Sequence, residues 1–198
     1  PFCVHWVAVA DGHATIPDGA LVFYREWYGS TGEANVGLKL PASEVGKGIV
    51  SRETSDEVAF GVLDPSAFAV DGGPSIAEEM FKVGAKFRRA DNKRVARMGA
   101  LGGWNQLRER LRGIDGKPMI YLFDTCKDLI RTLPMMQHDP DNMEDVAEGE
   151  DHPPDSCRYS CMARPWVNTG ARDPEPIKTI QDATLSDMWA EFERDRER

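Results

Sequence analysis

Four acids stand where this chain could do chemistry. Asp64 closes the apolar stretch "GVLD", Asp124 closes "YLFD", and Asp151 and Asp155 lie four apart in "EDHPPDSCRY". A buried carboxylate without a partner is costly, so a strand that ends in one needs a reason. In open α/β sheets, sites form at the carboxyl ends of strands. Carboxylates brought to one point from separate elements repel each other unless cations sit between them. Mg2+ and Mn2+ take oxygen ligands, keep water and bridge to phosphate. Two such ions about 3.5–4 Å apart form a clamp for phosphodiester hydrolysis. Each acid also has a structural reading. Asp64 before Pro65 and Ser66 fits an Asx-turn, and Asp124 fits a cap on the helix that follows it. Asp151 and Asp155 suit the positive end of a helix opened by Pro153 and Pro154.

Other chemistries are less well served. No G-x-S-x-G stretch occurs, and His5, His13, His138 and His152 fall in no recognisable dyad. Cys157 and Cys161 are one helical turn apart, a spacing zinc could use with His152. No C-x-x-C pair accompanies them, and small buried thiols are the commoner use of such cysteines. "GLKLPASEVGKG" fails the phosphate-loop template at its spacing and at its final residue.

The chain has 198 residues, 41% hydrophobic and 29% charged, which suits one domain of ordinary size with a tail. No run approaches the length of a membrane span. The opening "PFCVHWVAVADG" has neither the basic start of a signal peptide nor an initiating Met. It reads as part of a longer polypeptide. The net charge of −9 argues at first against nucleic acid, but the distribution is uneven. Lys82 to Lys117 holds eleven Lys and Arg against three acids, while seven acids fall between Asp139 and Asp151. Such a pairing of blocks fits a phosphate-binding surface beside a cation site, or two solvated faces that neutralise each other.

The elements that must position these groups follow from periodicity. "CVHWVAVA" and "ALVFYREWYG" predict an antiparallel hairpin, with "NVGLKL" as a short third strand. "PASEVGKGIVSRE" predicts a helix. Strands and helices then alternate: "VAFGVLD", "SIAEEMFKVG" closed by Gly84, "KFRRAD", and the basic run "NKRVARMGALGGWNQLRERLRG" as a long helix with Gly102–Gly103 as the place for a break. "PMIYLFD" is a further strand, followed by the helices "CKDLIRTLPMM" and "PPDSCRYSCMAR". A hairpin followed by βα units describes an α/β mixed sheet covered by helices on both faces. Residues 1–165 form this domain, and 166–198 a Pro-rich polar tail with a short charged helix.

Several stretches, in order, carry a resemblance: "ALVFYREWYG", "GVLDPS", "GPSIAEEMFKVGAKFRRADNKRVARMGAL", "MIYLFDTCKDLIRTLP" and "EDHPPDSCRYSCMARPW". Over roughly residues 1–166 the chain resembles the C-terminal nuclease domain of tailed-bacteriophage terminase large subunits. The resemblance implies an RNase H-like fold and a two-metal endonuclease, using Mg2+ or Mn2+, that cuts concatemeric double-stranded viral DNA during packaging. It implies an upstream ATPase domain, a portal and a small terminase subunit as partners, in the cytoplasm of a bacterial host, without a membrane.

Asp64 matches the family's second acid. Asp151, His152, Asp155, Arg158 and Tyr159 match its "DHxxDxxRY" element, so Asp64, Asp155 and Asp151 are the implied metal-binding and catalytic residues. Arg88, Arg89, Lys93, Arg94 and Arg97 are expected to hold the DNA backbone. The family's first acid, in an Asp-Trp-Gly-like strand, belongs just before the position of Pro1. A chain without it is expected to cut poorly. The alternative is a catalytically incomplete DNA-binding or assembly module of the packaging motor.

Overall fold

The computed structural model describes residues 1–13, 15–97 and 101–167. The expected tail helix lies outside these residues. Pro1–Val167 forms one compact unit. Its chain order is β1 (Cys3–Val9), β2 (Leu21–Tyr28), α1 (Ala42–Arg52), β3 (Gly61–Leu63), α2 (Ile76–Lys82), β4 (Phe87–Arg89), α3 (Gly103–Arg112), β5 (Ile120–Leu122), α4 (Lys127–Thr132) and α5 (His152–Ala163). The class is mixed α/β, as the alternation of patterns predicted.

The strands form two sheets. One has the order β1-β2-β5, with β1 and β2 antiparallel and β2 and β5 parallel. The other is the parallel pair β3-β4. In the first ladder Trp6 pairs with Arg25 and Val7 with Phe23, so Tyr24 is an extra residue bulged out of β2. Alternation along β1 and β2 divides two cores between the faces of the sheet. Leu21 and Phe23 pack with Trp104, Leu107, Leu129, Cys157 and Cys161 of α3, α4 and α5. Trp6 packs with Val45 and Ile49 of α1 and Met80 of α2, joined by Tyr24, Trp27 and Leu63. Helices therefore cover both faces.

Local chemistry explains most boundaries. Ser75 and Glu78 form a reciprocal capping box at the start of α2, and Gly84 follows its end with φ +100°. Pro153 and Pro154 lie in the first turn of α5, where their missing N–H groups cost nothing. Arg110 of α3 is wholly buried and donates to the carbonyls of Gly19, Met119 and Arg164. Among the described residues its Nε is a buried donor without a partner.

Three expectations are corrected. "NVGLKL" forms no strand; only a single bridge, Ser30 to Gly37, links that stretch to the end of the hairpin. The long basic helix is α3 alone, since residues 92–97 are not helical. In this stretch the Asn92 and Lys93 carbonyls accept from the Arg158 guanidinium, and the Lys93 and Arg94 carbonyls accept from the Gly103 and Trp104 N–H groups, so the segment is tied to α3 and α5 by non-local bonds. A Cβ at Gly103 would meet Arg158 Cγ at 2.7 Å, so Gly103 makes room for this side chain, while a Cβ at Gly102 would meet the backbone of Val95 and Ala96. Finally, the expected single sheet is divided in two.

Candidate functional site

β3 delivers Asp64 and α5 delivers Asp155 to one cleft of about 790 Å³, on which Asp64, His152, Asp155 and Tyr159 all open, while Asp151, just before α5, does not line it. Asp64 sits at the first position of a 3-10 turn, where its Oδ1 accepts from the Ser66 N–H at 2.7 Å and from the Ser66 hydroxyl. The Asx-turn reading is therefore correct as far as it goes. The other oxygen of Asp64 has a second use: the Tyr159 hydroxyl, on α5, donates to Oδ2. This bond ties the end of β3 to the middle of α5. Burial would raise the Asp64 pKa, but the bonds from Ser66 and Tyr159 and the charge of Arg158 bring it below its ordinary value.

Asp155 lies in the first turn of α5 and accepts from Arg158 Nε at 2.9 Å. Asp151 precedes the helix and makes no side-chain capping bond, so capping does not account for it. Arg94 reaches toward both acids, with Nη1 3.9 Å from Asp151 and 4.0 Å from Asp155, while its Nε bonds Asp145 at 2.8 Å. Desolvation, then the negative charge of Asp155, raise the Asp151 pKa above its ordinary value. Two acids four apart on one helix face resist joint ionisation.

Of the basic candidates, Arg94 is the one shown beside the acids, and none of the five lines the cleft. Arg88 and Arg89 are exposed on β4, in register with Val62 and Leu63 of β3. Their guanidinium groups stack on Phe60 (3.6 Å) and Phe68 (4.6 Å). Lys93 pairs loosely with Asp91, and Arg97 is exposed. Asp124 is exposed, does not line the cleft and does not cap α4.

The residue that caps α4 is Glu26, which sequence reasoning missed. Its two oxygens accept from the Asp128 and Leu129 N–H groups at 2.8 Å each, and from His5 Nε2 at 3.0 Å. The other His5 nitrogen meets the Ser156 hydroxyl at 2.9 Å. Burial would raise the Glu26 pKa, but these donors bring it below its ordinary value. No local pattern connects Glu26 to a helix a hundred residues away. Tyr159 was noticed only as part of a motif, and the link to Asp64 had no signal at all.

Hard oxygen donors at Asp64, Asp151 and Asp155 are the right chemistry for Mg2+ or Mn2+. Their spacing is looser. Among the described residues the one group of three His, Cys, Asp or Glu side chains whose ligand atoms lie within 4.8 Å of one another is Cys3, His5 and Glu26. That softer set does not suit either ion, and Glu26 is already satisfied by backbone and histidine. Cys157 and Cys161 are wholly buried in the apolar core. Among the described residues no helix is long and apolar enough to cross a membrane. Compared with family models, curated proteins and solved structures, the chain matches none.

Proposed function

We propose that the chain is a metal-dependent endonuclease domain with an RNase H-like fold, acting on double-stranded DNA, of the terminase type its sequence resembles. Asp64, Asp155 and Asp151 hold Mg2+ or Mn2+, which supplies activated water and charge neutralisation at the scissile phosphate. The observation that carries the reading is the convergence of Asp64 and Asp155 on one cleft, with Tyr159 binding Asp64 from the helix that bears Asp155. Arg158 holds Asp155 in position. Arg88, Arg89, Lys93, Arg94 and Arg97 contact the phosphate backbone, positioning the duplex without reading its sequence. The packaging-motor partners and the host cytoplasm belong to the same proposal.

A second reading, a DNA-binding or assembly module without catalysis, is favoured by the open spacing of the three acids. Plasmid incubation with Mn2+ separates the two. The first expects cleavage, weak in this chain and stronger in a version extended upstream through the first-strand acid, that EDTA abolishes and that Asp155→Asn lowers in both. Undiminished cleavage by both Asp155→Asn and Asp64→Asn overturns it. The second expects duplex binding without cleavage. In either case Arg88, Arg89 and Arg94 replaced together by alanine lower affinity for unrelated duplexes alike and flatten its salt dependence. Unchanged binding removes these residues from the interface.

A further inference from the structure

Apart from the three acids, the hairpin brings metal ligands of another kind together. Cys3 and His5 are two apart on β1, so their side chains leave the same face of the sheet. Glu26 is the direct partner of His5 on β2 and shares that face. Cys3 Sγ lies 3.8 Å from His5 Nε2, and that nitrogen lies 3.0 Å from Glu26 Oε2. Zinc bonds of about 2.0–2.3 Å at tetrahedral angles separate such atoms by about 3.4–3.6 Å. The two measured edges miss that figure by less than about 0.5 Å, within the reach of small side-chain rotations.

The surroundings already orient these ligands. His5 Nδ1 meets the Ser156 hydroxyl at 2.9 Å, and the Phe23 ring packs against the imidazole at 83°, with centroids 5.3 Å apart. With an ion on Nε2, the remaining ring proton sits on Nδ1 and is donated to Ser156, the outer bond that fixes a metal-binding histidine. A carboxylate offers about four acceptor positions. Glu26 uses three, for the Asp128 and Leu129 N–H groups and for His5. An ion takes the place of the histidine donor, and the cap of α4 stays intact.

Charge and donor type select the ion. The His5 and Glu26 side chains are 0% and 3% exposed, where an uncompensated charge is costly. A divalent cation with one thiolate, one carboxylate and one neutral imidazole is formally neutral. Sulfur and imidazole donors favour Zn2+ over Mg2+ and Mn2+. Three protein ligands leave a fourth position. Cys3 and His5 both line the cleft, which supplies water to that position and a route in for the ion.

We propose that Cys3 Sγ, His5 Nε2 and Glu26 Oε2 form a Zn2+ site whose fourth position opens to the cleft. Binding releases the thiol proton of Cys3 to solvent and changes no oxidation state. Through the Glu26 cap and the His5–Ser156 bond, the ion fastens the hairpin to α4 and α5. The site does not rest on the nuclease reading.

The test titrates the EDTA-stripped, phosphine-reduced 198-residue chain with Co2+, then with Zn2+. Co2+ is expected to give the near-ultraviolet sulfur-to-cobalt band and the strong visible bands of a four-coordinate site, and Zn2+ to displace it. Cys3→Ser abolishes the sulfur-to-cobalt band, and Ser156→Ala lowers zinc affinity about tenfold. Asp151→Asn/Asp155→Asn leaves the band unchanged, so this site and the acids are read separately. Absence of the band in the unaltered chain overturns the site, whatever the variants do. A band that survives in folded Cys3→Ser assigns the sulfur to Cys126, Cys157 or Cys161 and also overturns it.

Discussion

Two groups of acids occupy neighbouring parts of this molecule and behave in opposite ways. Glu26 is closed: two helix N–H groups and a histidine satisfy it, its side chain is 3% exposed, and His5 beside it is fully covered. Asp151 and Asp155 are more open: both reach Arg94 only at about 4 Å, the one close donor is Arg158 Nε on Asp155 at 2.9 Å, and Asp155 lines a cleft. A buried carboxylate surrounded by donors is part of the framework. A carboxylate pair left in mutual repulsion at an opening is available to a cation. Burial alone does not distinguish the two; the donors do.

The largest expected effect breaks the closed side. Glu26→Ala removes the cap of α4 and leaves His5 Nε2 and two backbone donors buried without their acceptor, which costs about 3–5 kcal/mol in chemical denaturation. Glu26→Gln keeps the shape and one acceptor, and costs less. A loss below about 1 kcal/mol for the alanine variant would remove the distinction between the two groups.

Mn2+ sharpens the open side. An ion that binds the native state alone raises stability by about 2.7 kcal/mol at a hundred times its dissociation constant. Calorimetry with and without EDTA is expected to show this gain in the parent chain and its loss in Asp151→Asn/Asp155→Asn. Persistence of the gain in that variant, with loss in Cys3→Ser, would move the ion to the Cys3–His5–Glu26 group.

Acid titration separates the groups by sign. Glu26 and Asp64 have lowered pKa values, so their stabilisation is complete above their ordinary values of 4.5 and 3.8 and is lost as pH falls through the folded values. Asp151 is raised above 3.8, so its ionisation weakens the fold, and that penalty disappears as pH falls through the folded value. Asp151→Asn is therefore expected to stabilise slightly at pH 7, by less than about 1 kcal/mol, and to steepen acid unfolding. Destabilisation by this variant at pH 7 would show that the carboxylate has a partner of its own.

How far the sequence revealed this follows the range of the interactions. The hairpin of β1 and β2 was legible because β-branched and aromatic residues alternate on both sides of a turn-rich loop. The starts of α2 and α5 were legible because Ser75, Glu78, Pro153 and Pro154 act within one helical turn. Asp64 was legible as a strand-end acid. What depends on distant partners was not. Arg94 and the non-helical 92–97 stretch are set by Arg158 and Asp145, and charge periodicity alone reads that stretch as helix. Glu26 as the cap of α4 and the parting of the sheets required contacts across more than a hundred residues or the whole layer. The basic block also misled in part, since Arg110 is counted in it yet is buried.

Arg110 has a consequence for how the fold comes apart. One guanidinium collects carbonyls from the loop before β2, the residue before β5 and the end of α5. These three stretches are remote in sequence, yet none can swing away without stranding a buried cation. Local opening is thereby converted into a concerted event: the end of α5 cannot fray by itself. Native-state exchange is expected to report one shared opening free energy for the backbone amides of Leu21, Met119 and Arg164, in place of a gradient that falls toward the last turn of the helix.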